Sequence, residues 1–338
     1  MRFPILLVLF PFLMNAQPSS EIHKQFNVIV TSESENTFEL IYEIKSRKDE
    51  NSDIKIYQTE SQDSFILHLI GDIKSFPKNK SQILFHIHGM WGSRKSNFIN
   101  AYGLLYEYLI LPEESDMARI LSIKWPGNKP EYLTNKFKVI EIGDEMQKLF
   151  VQLIRKIQLA DKFLFNFSTD FDLIGHSLAG ELIKEIVKNI DEKELKYPLF
   201  NQVVIAAPDL DTDVLEKEGE LQKLEYFANR SHIYFSHKDL TLSISKSLNK
   251  KGRLGLDGPT ESSVVPKNVF FVDVTEVSDE ENIGDKISGH AYYRASNLIT
   301  ADILKTLRGD KIESFPSREL IDKSLHIYKY KVKGIDQK

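Results

Sequence analysis

One short segment carries the residue types and spacing of a reactive serine. Residues Phe171 to Gly180, FDLIGHSLAG, run from an apolar stretch through Ser177 directly into a helical pattern. A sharp turn between a buried strand and a helix raises a serine above the edge of a sheet, and it needs small residues two positions before and two after the serine. Gly175 and Ala179 meet this need, with alanine where glycine is usual. The pattern therefore predicts a nucleophilic Ser177 rather than a serine that only caps a helix.

A serine nucleophile needs a base, and the base needs an acid that holds its orientation. On sheets with this turn, the chain order is serine, acid, histidine. His290 is the candidate for the base, because it lies in a loop that contains glycine between the last core strand and the final helix. Asp239, just beyond the strand His232–Phe235, is the favoured acid. Asp209 ends the preceding strand and is the alternative, unless it caps a helix.

A second segment, ILFHIHGMWG from Ile83, is expected to complete the site. In hydrolases with such a turn, the loop after this strand supplies one N–H to the oxyanion, and the residue after the serine supplies another. Met90 and Leu178 are therefore the predicted oxyanion donors. Candidate lining side chains are Trp91, Trp125 and Tyr292.

The same segment allows a metal-dependent alternative. His86 and His88 lie two positions apart and share one face of a strand, as ligands of some metal hydrolases do. No Asp/His set with matching spacing follows them, and the chain has no cysteine. We therefore expect no metal and no cofactor, and we interpret His86 as a buried, hydrogen-bonded histidine.

These residues can meet only if parallel strands end at one edge of a sheet. After residue 81, short strands alternate with helical patterns, which indicates βαβ units and a mostly parallel sheet with helices on both faces. The predicted strands are Ile83–Ile87, Arg119–Trp125, Phe171–Ile174, Gln202–Ala206, His232–Phe235 and Val269–Val274. The predicted helices are Asn97–Ile110, Phe137–Ala160, Leu178–Ile190 and Ser296–Leu307.

The remainder of the chain is expected to flank this core within one domain. Residues 17–80 form an antiparallel N-terminal edge, 81–309 the core and 310–338 a C-terminal extension that is either an edge strand or a loose tail. The predicted N-terminal strands are Asn27–Val30, Phe38–Ile44, Ile54–Tyr57 and Phe65–Ile70.

The first residues have the pattern of a secretory signal peptide. Arg2 precedes an apolar run to Met14, and Ala16 precedes a polar stretch, so we predict cleavage after Ala16 and a secreted or periplasmic protein. The alternative is a buried N-terminal strand.

No later segment reaches the ~20 apolar residues of a membrane span. The net charge of −5 argues against a nucleic-acid partner.

Taken together, the motifs resemble a bacterial α/β-hydrolase family of unknown function that is related to lipases and esterases. The motifs are His88-Gly89, Trp125-Pro126, Gly175–Gly180, Ala207–Asp209, Tyr234–Asp239, Arg253–Gly255 and Gly289-His290. The resemblance covers Ser81 to Leu307 and implies the α/β-hydrolase fold with a triad of Ser177, Asp239 and His290.

We therefore expect a secreted serine hydrolase that acts on small-molecule or lipid esters through an acyl-enzyme. An amidase, peptidase or thioesterase would use the same residues. A binding module that kept the fold without catalysis is the remaining alternative.

Overall fold

The computed structural model describes most of the chain after residue 60 and three earlier strands. The described residues are 24–29, 37–42, 55–59, 61–74, 76, 79–90, 105–110, 112–127, 129, 131–165, 170–193, 195, 197–280 and 282–332. The predicted signal peptide, Trp91 and most of the predicted helix Asn97–Ile110 lie outside them.

The described strands form one continuous eleven-stranded sheet in which eight neighbouring strands run parallel. The strands are β1 (Lys24–Ile29), β2 (Thr37–Tyr42), β3 (Lys55–Thr59), β4 (Gln82–Ile87), β5 (Met117–Lys124), β6 (Phe171–His176), β7 (Phe200–Ala206), β8 (Ala228–Phe235), β9 (Val269–Asp273), β10 (Arg318–Asp322) and β11 (Ile327–Tyr330). Their spatial order is β10-β11-β9-β8-β7-β6-β4-β5-β1-β2-β3, and the strands from β11 to β1 in this order are parallel. The predicted mostly parallel sheet is confirmed.

Antiparallel pairing occurs at both edges of the sheet. At one edge β2 pairs antiparallel with β1 and with β3. At the other edge β10 and β11 form an antiparallel pair, and β11 continues the parallel sheet beside β9. The turn between them is held by Asp322, whose carboxylate accepts from the Leu325 N–H at 2.9 Å, and by His326 in the left-handed region at φ +51°. The prediction placed antiparallel pairing only at the N-terminal edge and left this C-terminal pair open.

The predicted strand Phe65–Ile70 is wrong, because this run lies in a helix, α1 (Gln62–Ile73). Ser61 caps the helix by accepting from the Ser64 N–H at 3.2 Å. The apolar side chains recur at helical spacing and are buried, namely Phe65, Ile66, Leu69, Ile70 and Ile73. A short apolar run fits a strand and a helix equally well, and here the capping serine and the wider spacing decide for the helix.

Helices cover both faces of the sheet, so the central strands are buried on both sides. The helices after α1 are α2 (Tyr132–Phe165), α3 (Ala179–Lys188), α4 (Leu224–Phe227), α5 (Leu240–Asn249), α6 (Leu254–Asp257), α7 (Ile283–Ser288), α8 (Tyr292–Ala295) and α9 (Asn297–Leu307). Side chains of α1, α2 and α3 share one core with Phe85, whereas α8, α9 and the turn Tyr106–Ile110 share a second core with Leu84. Among the described residues, no helix is both long and apolar enough to cross a membrane.

The C-terminal hairpin is joined to the rest of the fold by a buried arginine. The Arg318 side chain is fully buried, and its Nε lies 3.1 Å from both carboxylate oxygens of Asp302 on α9. The same guanidinium donates to the Tyr234 hydroxyl at 2.7 Å and to Thr306 Oγ1 at 2.8 Å. The C-terminal extension is therefore packed into the domain through buried polar side chains that hydrogen-bond to one another.

We expect Arg318→Ala to lower the free energy of unfolding by about 3–5 kcal/mol, because it leaves the Asp302 carboxylate buried without its partner. Chemical denaturation monitored by circular dichroism measures the change. The matched control is Lys331→Ala on the same hairpin, whose ion pair with Glu319 is half exposed and contributes about 1 kcal/mol or less. Equal effects of the two substitutions would contradict this role of Arg318.

Candidate active site

The turn at Ser177 has the strained geometry that the sequence predicts. Ser177 lies between β6 and α3 with φ +57°, in the left-handed region. Its N–H donates to the Ala206 carbonyl at 3.0 Å, and its carbonyl accepts from the Gly180 and Asp209 N–H groups at 2.9 and 3.1 Å. These bonds from neighbouring segments hold a backbone conformation that a serine rarely adopts.

Packing accounts for the glycine two residues before Ser177. A Cβ on Gly175 would lie 2.5 Å from Ile183 Cδ1, so no larger residue fits there without movement. The same position would be 3.6 Å from the Ala179 Cβ, an ordinary contact. Alanine at 179 is therefore compatible with the turn, although glycine is usual.

His290 and Asp239 are in direct contact. His290 Nδ1 lies 2.6 Å from Asp239 Oδ2, and the Asp239 side chain is fully buried. The other carboxylate oxygen accepts from the Leu242 N–H at 2.8 Å in the first turn of α5, where a helix N-terminus favours a negative charge. Gly289 makes this approach possible, because it has φ +59° and a Cβ there would lie 2.8 Å from the Lys238 carbonyl oxygen.

His176, which the sequence analysis did not single out, links the His290 loop to the serine turn. Its Nε2 lies 3.0 Å from the His290 carbonyl oxygen, and its ring centroid is 4.6 Å from that of His290. The His176 ring also stacks on the Tyr293 ring, with 4.4 Å between the two centroids. Burial, assisted by the nearby His290, lowers the pKa of His176 well below its ordinary value. The neutral ring can then donate from Nε2 to the carbonyl and hold the loop beside Ser177.

Asp209 has a different partner from the one that either prediction gave it. Its carboxylate accepts from Arg253 Nε at 2.8 Å and from Ser245 Oγ at 2.6 Å. The helical turn that follows begins after Asp211 instead, so Asp209 caps no helix there. Arg253 is completely buried and also bonds to Asp211. The structure thus pairs His290 with Asp239 and Asp209 with Arg253.

The loop after β4 lies against the serine turn, as the oxyanion prediction requires. A Cβ on Gly89 would lie 3.0 Å from the His176 carbonyl oxygen and 3.1 Å from Ser177 Cβ, so glycine allows the close approach. Met90 follows this glycine, and Leu178 follows the serine. Within the described part of the chain, neither of their N–H groups donates to a backbone carbonyl. Both remain predicted oxyanion donors.

His88 and two of the candidate lining residues have structural roles. His88 Nδ1 lies 2.7 Å from the Gly89 carbonyl oxygen, and its Nε2 accepts from the Trp125 N–H at 3.3 Å. Trp125 is buried and stacks on this imidazole ring, with 5.4 Å between the ring centroids. Tyr292 is also buried, and its hydroxyl donates to the Tyr234 carbonyl at 2.9 Å. Trp125 and Tyr292 therefore belong to the core, and Trp91 lies outside the described residues.

His86 is buried as predicted, but neither ring nitrogen has a hydrogen-bond partner among the described residues. The expected hydrogen bond is therefore wrong. Burial lowers the pKa of His86 to about 3 and that of His88 to about 4. Since both nitrogens of His88 are engaged by protein atoms, the pair does not present two free ligands to a metal. In the described residues, no group of three His, Cys, Asp or Glu side chains could hold a metal ion.

We expect stability to fall as the pH drops below ~6.5, the pKa of a histidine in an unfolded chain. The folded imidazoles of His86 and His88 stay neutral down to pKa values of about 3 and about 4, so the unfolded state binds protons first. Each contributes a slope of about 1.4 kcal/mol per pH unit below that point. The free energy of unfolding, measured by chemical denaturation between pH 7 and pH 5, should fall less steeply with decreasing pH for His86→Leu than for the exposed-site control His237→Gln. Identical slopes would contradict this origin of the acid sensitivity.

Comparison with known proteins places the chain in a family. The family model for alpha/beta hydrolases of unknown function (DUF900) matches residues 74–308. No curated protein sequence matches the chain. Among solved structures, phospholipase PlaB from Legionella pneumophila is similar at 15% identity, with 67% of this chain and 60% of that chain covered and a TM-score of 0.36. The Pyrococcus furiosus esterase Pf2001 is similar at 9% identity, with 75% and 83% covered and a TM-score of 0.34.

The chain spans about 60% of the length of the phospholipase. The family match confirms the α/β-hydrolase fold expected from the motifs. Because it covers more than half of the sequence, the protein belongs to the DUF900 family of alpha/beta hydrolases of unknown function.

Proposed function

We propose that the protein is a serine hydrolase that cleaves carboxylic esters through an acyl-enzyme. The observation that carries the proposal is the 2.6 Å contact between His290 Nδ1 and Asp239, in a loop that His176 fastens to the Ser177 turn. A histidine oriented by a buried carboxylate, on a loop fastened to the left-handed turn that carries a serine, is the arrangement in which a serine hydroxyl can be activated. A binding module without catalysis would have no need to preserve this acid–base contact.

In the proposed reaction, His290 Nε2 takes the proton of Ser177 Oγ as the oxygen attacks the ester carbonyl carbon. Asp239 holds Nδ1 protonated, so that Nε2 is free to act as the base. The carbonyl oxygen becomes an oxyanion that accepts hydrogen bonds from the Met90 and Leu178 N–H groups. When the tetrahedral intermediate collapses, the C–O bond to the alcohol breaks and His290 returns the proton to the leaving oxygen.

Water then resolves the acyl-enzyme by the same groups. His290 takes a proton from the water, the hydroxyl adds to the acyl carbon, and the bond to Ser177 Oγ breaks as that oxygen recovers a proton. The products are the free acid and the regenerated serine. No cofactor enters this sequence of steps.

Hydrolysis of p-nitrophenyl esters from acetate to palmitate, beside a matched p-nitroanilide, tests the reaction class. The proposal expects turnover of at least part of the ester series, with the anilide cleaved far more slowly. Cleavage of the anilide at a rate equal to the ester would show an amidase or peptidase instead. Turnover that a chelator abolishes while Ser177→Ala leaves it intact would contradict a serine mechanism.

We also propose that residues 1–16 are a signal peptide, which would place the mature protein outside the cytoplasm. The support is the order of a positive residue, an apolar run and a small residue at Ala16. Expression in a bacterial host followed by N-terminal sequencing of the exported protein tests this. A mature chain that begins at Gln17 is expected, whereas an uncleaved chain retained in the cytoplasm would refute the proposal.

A further inference from the structure

Arg253 belongs to a motif of the sequence, Arg253–Gly255, to which the proposed reaction gives no role. Its side chain is completely buried, and its Nε donates to the Asp209 carboxylate at 2.8 Å. Its terminal nitrogens donate to the Asp209 carbonyl oxygen and to the Asp211 carboxylate. The planar fork of guanidinium donors accepts few arrangements of acceptors, so these bonds hold the segment Pro208–Leu210, the Asp209 loop, in one conformation.

The Asp209 loop is bonded to the turn that carries the nucleophile. The Asp209 N–H donates to the Ser177 carbonyl at 3.1 Å. The Arg253 guanidinium also lies 3.9 Å from the Glu181 carboxylate, in the first turn of the helix α3 that follows Ser177. Arg253 is thus connected to the serine turn both through the loop and through the helix that leaves the turn.

The same loop is connected to the acid by backbone hydrogen bonds. The Gly255 N–H donates to the Pro208 carbonyl at 2.9 Å, and the Gly255 carbonyl accepts from the Ser236 N–H at 3.0 Å. The Ser236 carbonyl in turn accepts from the Asp239 N–H at 3.1 Å. A Cβ on Gly255 would lie 2.6 Å from the Pro208 backbone nitrogen, so this close pairing needs glycine. A series of backbone bonds therefore runs from the serine turn to the acid.

A side-chain bond joins the Asp209 loop to the helix of the acid. The Asp209 carboxylate accepts from Ser245 Oγ at 2.6 Å. Ser245 is buried on α5, and Asp239 is the N-cap of that helix. The Arg253–Asp209 ion pair therefore lies between the nucleophile turn and the helix that begins at the acid.

We propose that Arg253 is a positioning residue, which acts through Asp209 to fix the separation between Ser177 and the Asp239–His290 pair. This role rests on the proposed ester hydrolysis. The nucleophile and its base must be closely aligned, and a displacement of about 1 Å by a distant substitution can cost about 10²-fold in rate. Arg253 itself contacts no reacting atom, so its effect on the reaction is one of alignment.

Two substitutions loosen this connection by different means. Arg253→Lys keeps the positive charge, but a single ammonium group cannot reproduce the fork of bonds to the Asp209 loop. Ser245→Ala removes the hydroxyl that joins Asp209 to α5. Its matched control is Ser247→Ala on the same helix, where the hydroxyl is exposed and bonds within the helix. Asp209→Asn is less suitable, because its backbone bonds remain and its amide oxygen can still accept from Ser245.

Steady-state kinetics with soluble p-nitrophenyl butyrate measure the effect, at a temperature where circular dichroism shows each variant to be folded. We expect kcat to fall about 10- to 100-fold for Arg253→Lys and about tenfold for Ser245→Ala, with KM nearly unchanged. Ser247→Ala should keep the kcat of the parent protein. A lower kcat at constant KM in folded protein indicates a loss confined to the transition state, which a role in stability alone does not produce.

A purely structural role of Arg253 gives a different result. Unchanged kcat in the folded variants Arg253→Lys and Ser245→Ala, with only a lower denaturation midpoint, overturns the proposal. If Arg253→Lys does not fold, Ser245→Ala decides by the same criterion, because it removes a single oxygen and no charge.

A measurement without substrate separates this proposal from the proposed function. In protein with isotope-labelled histidine, the proton resonance of His290 Nδ1–H reports the bond to Asp239. A parent protein that hydrolyses no ester refutes the esterase. In that case a resonance that shifts or broadens in Arg253→Lys and Ser245→Ala, but not in Ser247→Ala, still supports the positioning role. A resonance that is the same in all three variants then overturns it.

Discussion

Replacing Ser177 by alanine should lower kcat for a soluble p-nitrophenyl ester by about 10⁵- to 10⁶-fold, because no oxygen remains to form the acyl-enzyme. The substitution removes one atom and leaves the backbone bonds to Ala206, Gly180 and Asp209 in place. We therefore expect an unchanged circular dichroism spectrum and a thermal midpoint close to that of the parent protein. Steady-state kinetics at saturating ester measures the loss.

The control for this loss is Ser262→Ala, which changes an exposed serine bonded to Glu216. Its kcat should equal that of the parent protein. A Ser177→Ala enzyme that keeps more than about a tenth of the parent rate would show that another group carries the chemistry.

The second large effect is expected for Asp239→Asn, which should lower kcat by about 10⁴-fold. An amide at this position donates to Nδ1 instead of accepting from it, and the proton then lies on Nε2, where His290 must be free to act as a base. Asn keeps the shape of the side chain, and its oxygen can still cap α5 by accepting from Leu242. The loss should therefore appear in kcat while the fold persists.

Asp209→Asn separates the two candidate acids. The Asp209 carboxylate accepts from the buried Arg253 guanidinium, which also bonds to Asp211. The neutral amide therefore removes one of the carboxylates that compensate this charge, at a cost of about 1–3 kcal/mol in the free energy of unfolding. We expect its main effect in the denaturation midpoint, and that of Asp239→Asn in kcat. The reverse pattern would make Asp209 the acid and would contradict our assignment.

The sequence was sufficient where a local pattern determines the backbone. The apolar strand, the small flanking residues and the helical pattern around Ser177 predict a turn that the structure shows at φ +57°. The position of Asp239 just after one strand and of His290 after the next led to the pair that the structure holds at 2.6 Å. Chain order on a parallel sheet is enough for this, because strand ends gather at one edge.

The sequence was insufficient where long-range contacts decide. His176 stands between two residues of the serine pattern, and only the folded chain shows that its ring contacts Tyr293 and the His290 loop. The partner of Asp209 is 44 positions away, at Arg253, and no periodicity connects them. Phe65–Ile70 has too few residues to distinguish the two periods, so its cap and its packing determine the helix.

Labelling of the purified protein with a fluorophosphonate, followed by mass spectrometry of its peptides, identifies the nucleophile directly. The phosphorus atom bonds to an activated serine oxygen and fluoride leaves, so the adduct reports the nucleophile itself. We predict one adduct, on Ser177, that disappears in Ser177→Ala and falls strongly in Asp239→Asn but persists in Ser262→Ala. An adduct on a different residue, or labelling that survives Ser177→Ala, would contradict the account.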